Sequence, residues 1–147
     1  ESVWFSSPKV TALQPGQAEG VLIGGCLTLI CTTIGTTYEI DTDDRILFIE
    51  DINEAPYRID RMLYYLKTVG KLDKIRGLIV GEMPDCHPDL LPEIILEFFA
   101  DADIPILFGF PSGHGEAIFT LPFGTPVRLD ALMPVPVVTL LTPAVSA

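Results

Sequence analysis

Two histidines are all that the 147-residue chain contains, and they keep different company. His114 lies in Pro-Ser-Gly-His-Gly (residues 111–115), directly after an apolar run. A glycine-rich loop behind a strand can present an imidazole at an exposed strand end, where it is able to move protons. An ordinary loop histidine fits the same five residues. His87 lies in Asp-Cys-His-Pro-Asp (residues 85–89), where Asp85, Cys86 and Asp89 suggest metal ligation. No second cluster supplies the remaining ligands of a zinc site, so a solvated loop is the expectation there, with no metal.

Three carboxylates, Glu50, Asp51 and Glu54, gather where an apolar run gives way to a helical pattern. A carboxylate in that place could hold a histidine Nδ1–H and stabilise the imidazolium formed during acyl transfer. Acidic residues near a helix N-terminus are favourable in any case, and that explanation suits Glu54 best. Glu50 directly follows Arg-Ile-Leu-Phe-Ile and belongs at the strand end. If Glu50 and His114 work together, a carboxylate oxygen should come within hydrogen-bond reach of a ring nitrogen.

Other chemistry fails on spacing. Gly20 to Gly25 has phosphate-loop spacing, but Cys26 and Leu27 stand where Lys and Ser/Thr are needed. Asp41, Asp43 and Asp44 begin like a calcium loop, yet Ile52 occupies the position of the bidentate glutamate. Ser2, Ser6, Ser7 and Ser146 are near the ends of the chain, and Ser112 is in no nucleophile elbow. No serine here reads as a nucleophile. Cys26, Cys31 and Cys86 are odd in number and lack CxxC spacing, which reads as reduced, mostly buried thiols in a cytoplasmic protein.

The elements that position these residues follow from periodicity. Residues 45–50 and 75–80 read as buried strands, with a third at 105–108. Ile59, Met62, Leu63, Leu66 and Val69 recur at helical steps between Asn53, a candidate cap, and Gly70, a candidate stop. Residues 90–100 form a second amphipathic pattern, and residues 111–115 read as a loop. Val21 to Ile34 fits a strand by β-branching and a helix by spacing, so periodicity alone does not decide it. Segments near 125–129 and 135–141 are expected to return to the sheet. Residues 1–17, with Pro8, Pro15 and Gly16, read as a lead-in segment or linker. The alternation gives an α/β domain, a mixed β-sheet flanked by helices, over residues 18–147.

With 9 Lys plus Arg against 20 Asp plus Glu, a net charge of −11 and 48% hydrophobic residues, the chain reads as one globular domain. It is poorly suited to nucleic acid or an anionic membrane surface. No stretch approaches the roughly 18 apolar residues of a membrane span. The first residues, Glu-Ser-Val-Trp, show no basic n-region, so the expectation is a piece of a longer protein with no visible signal peptide.

Four blocks in order carry a resemblance: AEGVLIGGCLTLI, GTTYEID, RILFIEDINEAPYRIDRMLYYLKTVGKLDKIRGLIVGE and PILFGFPSGHGEAIFTLPFGTPVRLD. Over roughly residues 18–130 the chain resembles the C-terminal domain of the LD-carboxypeptidases, serine peptidases of the S66 type that include microcin C immunity peptidases. The resemblance implies a swivelling-domain-like fold and a Ser-His-Glu triad shared between two domains. The nucleophilic serine belongs to an N-terminal domain absent from this chain, while Glu50 and His114 match the triad glutamate and histidine. It also implies hydrolysis of an amide between an L- and a D-residue, typically releasing terminal D-alanine from a murein tetrapeptide, without a cofactor. Partners would be the N-terminal domain and a peptide substrate, with homodimerisation left open. The chain alone should be inert. Cys26 stands where the family usually has asparagine, so a thiol replaces an amide, and the reaction class carries over further than the murein substrate does. Two rivals remain: a non-catalytic interaction or dimerisation domain, and a metal-dependent hydrolase using His87, His114 and nearby carboxylates.

Overall fold

A computed structural model describes residues 3–116 and 118–143. Ser2 and Ser146 lie outside the described residues. Among the described residues, eight strands, β1 (Trp4–Ser6), β2 (Thr11–Gln14), β3 (Gln17–Cys26), β4 (Arg45–Glu50), β5 (Gly77–Glu82), β6 (Ile106–Gly113), β7 (Pro126–Asp130) and β8 (Val137–Leu140), form one mixed sheet. Its order is β1-β8-β7-β3-β4-β5-β6-β2. The central four, β3 to β6, run parallel, and the outer strands pair antiparallel. Helices α1 (Leu27–Thr33), α2 (Pro56–Thr68) and α3 (Leu91–Phe98) make the three crossovers.

Alternation along β4 sorts the core into two faces, as period-two geometry requires. Leu47 and Ile49 face Leu27, Ile59, Leu63, Leu66 and Ile95, so all three helices cover the same face. Ile46 and Phe48 face the other side, where Val127, Leu129, Val138 and Phe110 join them with no helix between. With both faces of its central strands covered, the parallel part of the sheet reads as continuous apolar runs. The α/β class with a mixed sheet is therefore the observed one, with the flanking helices on one face only.

Several local expectations change. Residues 1–17, read as a lead-in, contribute the two edge strands β1 and β2 and the first residue of β3. Short strands at sheet edges carry little apolar pattern, because one side of each faces solvent. Asn53 does not cap α2: it sits at φ 57 in the preceding turn, Ala55 is the cap residue, and Pro56 opens the helix. The backbone of Pro at a first helical position is already set for the helix and has no N–H to satisfy. Residues 111–113, read as loop, extend β6. Val21 to Ile34 is both things in turn, the end of β3 and then α1, divided at Cys26.

Candidate active site

The parallel strands end together, and the chemistry gathers at that edge. Glu50 is the last residue of β4, and its side chain is only 8% exposed. Beside β5, strand β6 takes three steps from Phe110 to Gly113 while its partner takes one from Gly81 to Glu82, so Pro111 and Ser112 are extra. A bulge of this kind bends a strand and re-aims the residues beyond it, and proline is tolerated there because it has no N–H to lose from the ladder. The loop after the bulge is closed by Phe119 N–H donating to the Pro111 carbonyl (2.7 Å) and by the Ser112 hydroxyl donating to the Phe119 carbonyl (3.0 Å).

His114 comes directly after the bulge, and its Nδ1 lies 2.6 Å from Glu50 Oε2. A carboxylate can only accept, so Nδ1 carries the proton, and in the neutral ring Nε2 keeps its lone pair. The imidazole is 46% exposed while the carboxylate behind it is almost fully covered. A buried orienting acid behind an accessible base is the arrangement that proton transfer in acyl chemistry needs. Gly113 makes the approach possible. A Cβ there would lie 2.8 Å from both the Cβ and Oε2 of Glu50, and the backbone φ of 113° also disfavours a side chain.

The other two carboxylates are occupied elsewhere. Asp51 Oδ2 accepts from the Thr28 backbone N–H and hydroxyl, both at 2.9 Å, and so caps α1 from a neighbouring segment. Glu54 lies 3.5 Å from Arg58 Nη1, one turn along. Its backbone N–H donates to Cys86 Sγ at 3.3 Å, which leaves the buried Cys86 thiol in a structural contact. His87 is exposed at φ 54 in the turn before α3. Among the described residues, no three His, Cys, Asp or Glu side chains converge to hold a metal ion. Gly20 to Gly25 runs inside β3 and forms no phosphate loop. Asp41, Asp43 and Asp44 pair with Arg45, Lys74 and Arg76 at the surface.

Cys26 lies directly beside Glu50 in the parallel register. Burial, aided by the charges of Asp51 and Glu50 and opposed by a hydrogen bond from Leu29, pushes its thiol pKa up. Together with Gly24, Gly25, Leu29, Tyr38 and Ile40 it lines an open cavity of about 330 Å³. Cys31 and Cys86 also carry free thiols. One carboxylate was missed in the sequence: Glu82 ends β5 against Gly115, next to His114. The signal for it was present, because Arg-Gly-Leu-Ile-Val-Gly-Glu (residues 76–82) is an apolar run closed by glutamate, as residues 45–50 are.

Residues 19–129 match the family of the LD-carboxypeptidase C-terminal domain. The chain belongs to the LD-carboxypeptidase family. A Bacillus subtilis relative described as a "probable murein peptide carboxypeptidase" is 41% identical over 127 residues, 82% of this chain and 40% of that protein. The muramoyltetrapeptide carboxypeptidase of Oxalobacter formigenes has a similar structure, with a TM-score of 0.76 and 30% identity over 95% of this chain and 49% of that one. The microcin C7 self-immunity protein MccF of Escherichia coli is 34% identical over 121 residues, 78% of this chain and 35% of that protein. A structure of MccF in complex with aspartyl sulfamoyl adenosine has a TM-score of 0.83 at 27% identity, over 93% of this chain and 42% of that one. The chain thus spans about 40% of the length of the Bacillus relative. The family is one of peptide-bond hydrolases, and this LD-carboxypeptidase domain matches its C-terminal portion. Among the described residues, no helix is long and apolar enough to cross a membrane.

Proposed function

We propose that this domain supplies the base and the orienting acid of a serine-type LD-carboxypeptidase, His114 and Glu50, and that a nucleophilic serine comes from an N-terminal domain of the same protein. The observation that carries the reading is the 2.6 Å contact between the buried Glu50 carboxylate and Nδ1 of the half-exposed His114. In the first step, Nε2 takes the serine proton as the oxygen bonds to the scissile carbonyl carbon. The same proton then passes to the amine of the departing residue as the C–N bond breaks. Water, deprotonated by His114, releases the acyl group in the second step. Glu50 holds the productive tautomer throughout and balances the transient imidazolium charge.

The substrate proposed is a murein peptide with an amide between an L- and a D-residue, cleaved to release terminal D-alanine in the cytoplasm. The Bacillus relative is named for murein peptides and the Oxalobacter relative for muramoyltetrapeptides, which supports the peptide class. Cys26, beside Glu50, gives that wall of the site a neutral thiol in place of an amide, so hydrogen bonding to the peptide there is weaker. The test uses the longer protein with both domains. D-Alanine release from an L,D-tetrapeptide should be lost in His114→Ala while substrate binding is kept, and wild-type turnover in that variant would overturn the reading.

A further inference from the structure

The loop that carries His114 is flanked by glycine on both sides, and each glycine makes room for a different carboxylate. Gly113 admits Glu50. A Cβ on Gly115 would overlap Glu82 Oε2 outright and come within 3.0 Å of Glu82 Cβ. The side-chain space of residue 115 is therefore filled by Glu82, which reaches it from the end of β5. Glu82 Oε2 is fully buried and has no hydrogen-bond partner among the described residues. Its other oxygen lies 3.9 Å from the Nζ of Lys9, a side chain that is 70% exposed. That ion pair is long and solvated, and such pairs contribute little.

A buried carboxylate oxygen without a donor is costly, about 1–3 kcal/mol or more. Glu82 also lines an adjoining open cavity of about 370 Å³ with Gly115, Met83 and Phe108. The side chain stands against the histidine loop. Resting on the shared-triad reading, we propose that Glu82 is a positioning residue: packed against Gly115, it forms a second wall for the loop that carries His114 and sets where the ring stands. Among the described residues, one side-chain hydrogen bond, donated by Nδ1 to Glu50, holds that ring. Lateral packing then decides whether Nε2 sits within reach of the serine, and a displacement of about 1 Å at a reacting group can cost about 10²-fold in rate.

The test is a set of four variants in the protein with both domains, with kcat and KM measured separately for D-alanine release. Glu82→Ala opens space beside Gly115 and should lower kcat about tenfold, with KM within twofold of wild type. Glu82→Gln keeps the wall and should restore most of that loss. Gly115→Ala pushes the loop off the carboxylate and should lower kcat about 10²-fold. Adding Glu82→Ala to Gly115→Ala removes the colliding atoms, so the double variant should be faster than Gly115→Ala alone. Losses that multiply in the double variant, or a Glu82→Ala enzyme with unchanged kcat, would overturn the proposal. Thermal melting of each variant separates misfolding from misplacement, since a melting point near wild type with reduced kcat is expected. His114→Ala is the control. If it retains activity, the triad reading fails, whereas if it is dead while the Glu82 variants are normal, the positioning role alone fails.

Discussion

Glu50→Gln is the sharpest perturbation of the proposed triad, because it changes chemistry while leaving shape nearly untouched. The carboxylate is 8% exposed and its Oε2 stands 2.6 Å from Nδ1, so a glutamine fits the same space. Its amide can meet the ring in two ways. With the carbonyl oxygen facing the ring, Nδ1 keeps its proton and the base remains competent. With the NH2 facing it, the amide donates to Nδ1, the ring proton moves to Nε2, and the lone pair that must receive the serine proton is lost. Neither orientation returns the negative charge that balances the imidazolium. In the triad built with aspartate, the equivalent change lowers kcat about 10⁴-fold, which corresponds to about 5 kcal/mol at 1.36 kcal/mol per tenfold. The assay is kcat for D-alanine release by the two-domain protein, in wild type, Glu50→Gln, His114→Ala and the double variant, with near-ultraviolet circular dichroism to verify folding. Because a triad acts as a unit, the double variant should be scarcely slower than His114→Ala. Losses that multiply would show Glu50 acting independently of His114 and would refute the mechanism.

Four further outcomes are expected. The 147-residue chain alone should release no D-alanine from an L,D-tetrapeptide; turnover that persists through purification and survives Ser112→Ala would place a nucleophile elsewhere in this chain. Asp51→Ala should destabilise the fold by about 2–4 kcal/mol in urea unfolding, since it removes two charge-assisted hydrogen bonds to Thr28 at the start of α1, and an unchanged midpoint would show that α1 needs no such cap. Burial, with Asp51 and Cys26 nearby, raises the Cys31 pKa to about 11. At pH 8 its thiolate fraction is then on the order of 10⁻³, against roughly a quarter for an ordinary thiol near 8.5. Mass spectrometry should find Cys31 alkylated far more slowly than a model thiol, with the rate climbing as pH approaches 11. The raised pKa means that the unfolded chain loses this proton first, so stability should decline between about pH 9 and 11 rather than rise.

The legibility of this site in its sequence divides along a physical line. Residues 45–50 and the helix around Leu63 were readable because burial on a fixed face imposes a period that needs no partner to be seen. The candidate pair was readable because only two histidines are present and because Glu50 ends an apolar run. What periodicity could not convey was everything settled between segments. Asp51 is separated from Glu50 by one residue step, yet it faces the start of α1, and only the pairing of β3 with β4 brings that helix alongside. Val21 to Ile34 fitted both a strand and a helix, and the structure runs Gly24 and Gly25 within β3 and makes the switch to α1 at Cys26. Residues 111–113 carry loop composition because they bulge, while the strand they belong to remains paired through Gly113. That bulge matters most for function. Without that bulge, one-to-one pairing onward from Gly81 and Phe110 would set Pro111 rather than Gly113 opposite Glu82 and carry His114 two positions further on, away from the edge where Glu50 and Glu82 end their strands. The proline and serine that read as a turn are therefore the residues that bring the imidazole to its carboxylates, and the glycines beside it are small because two glutamates occupy their side-chain space.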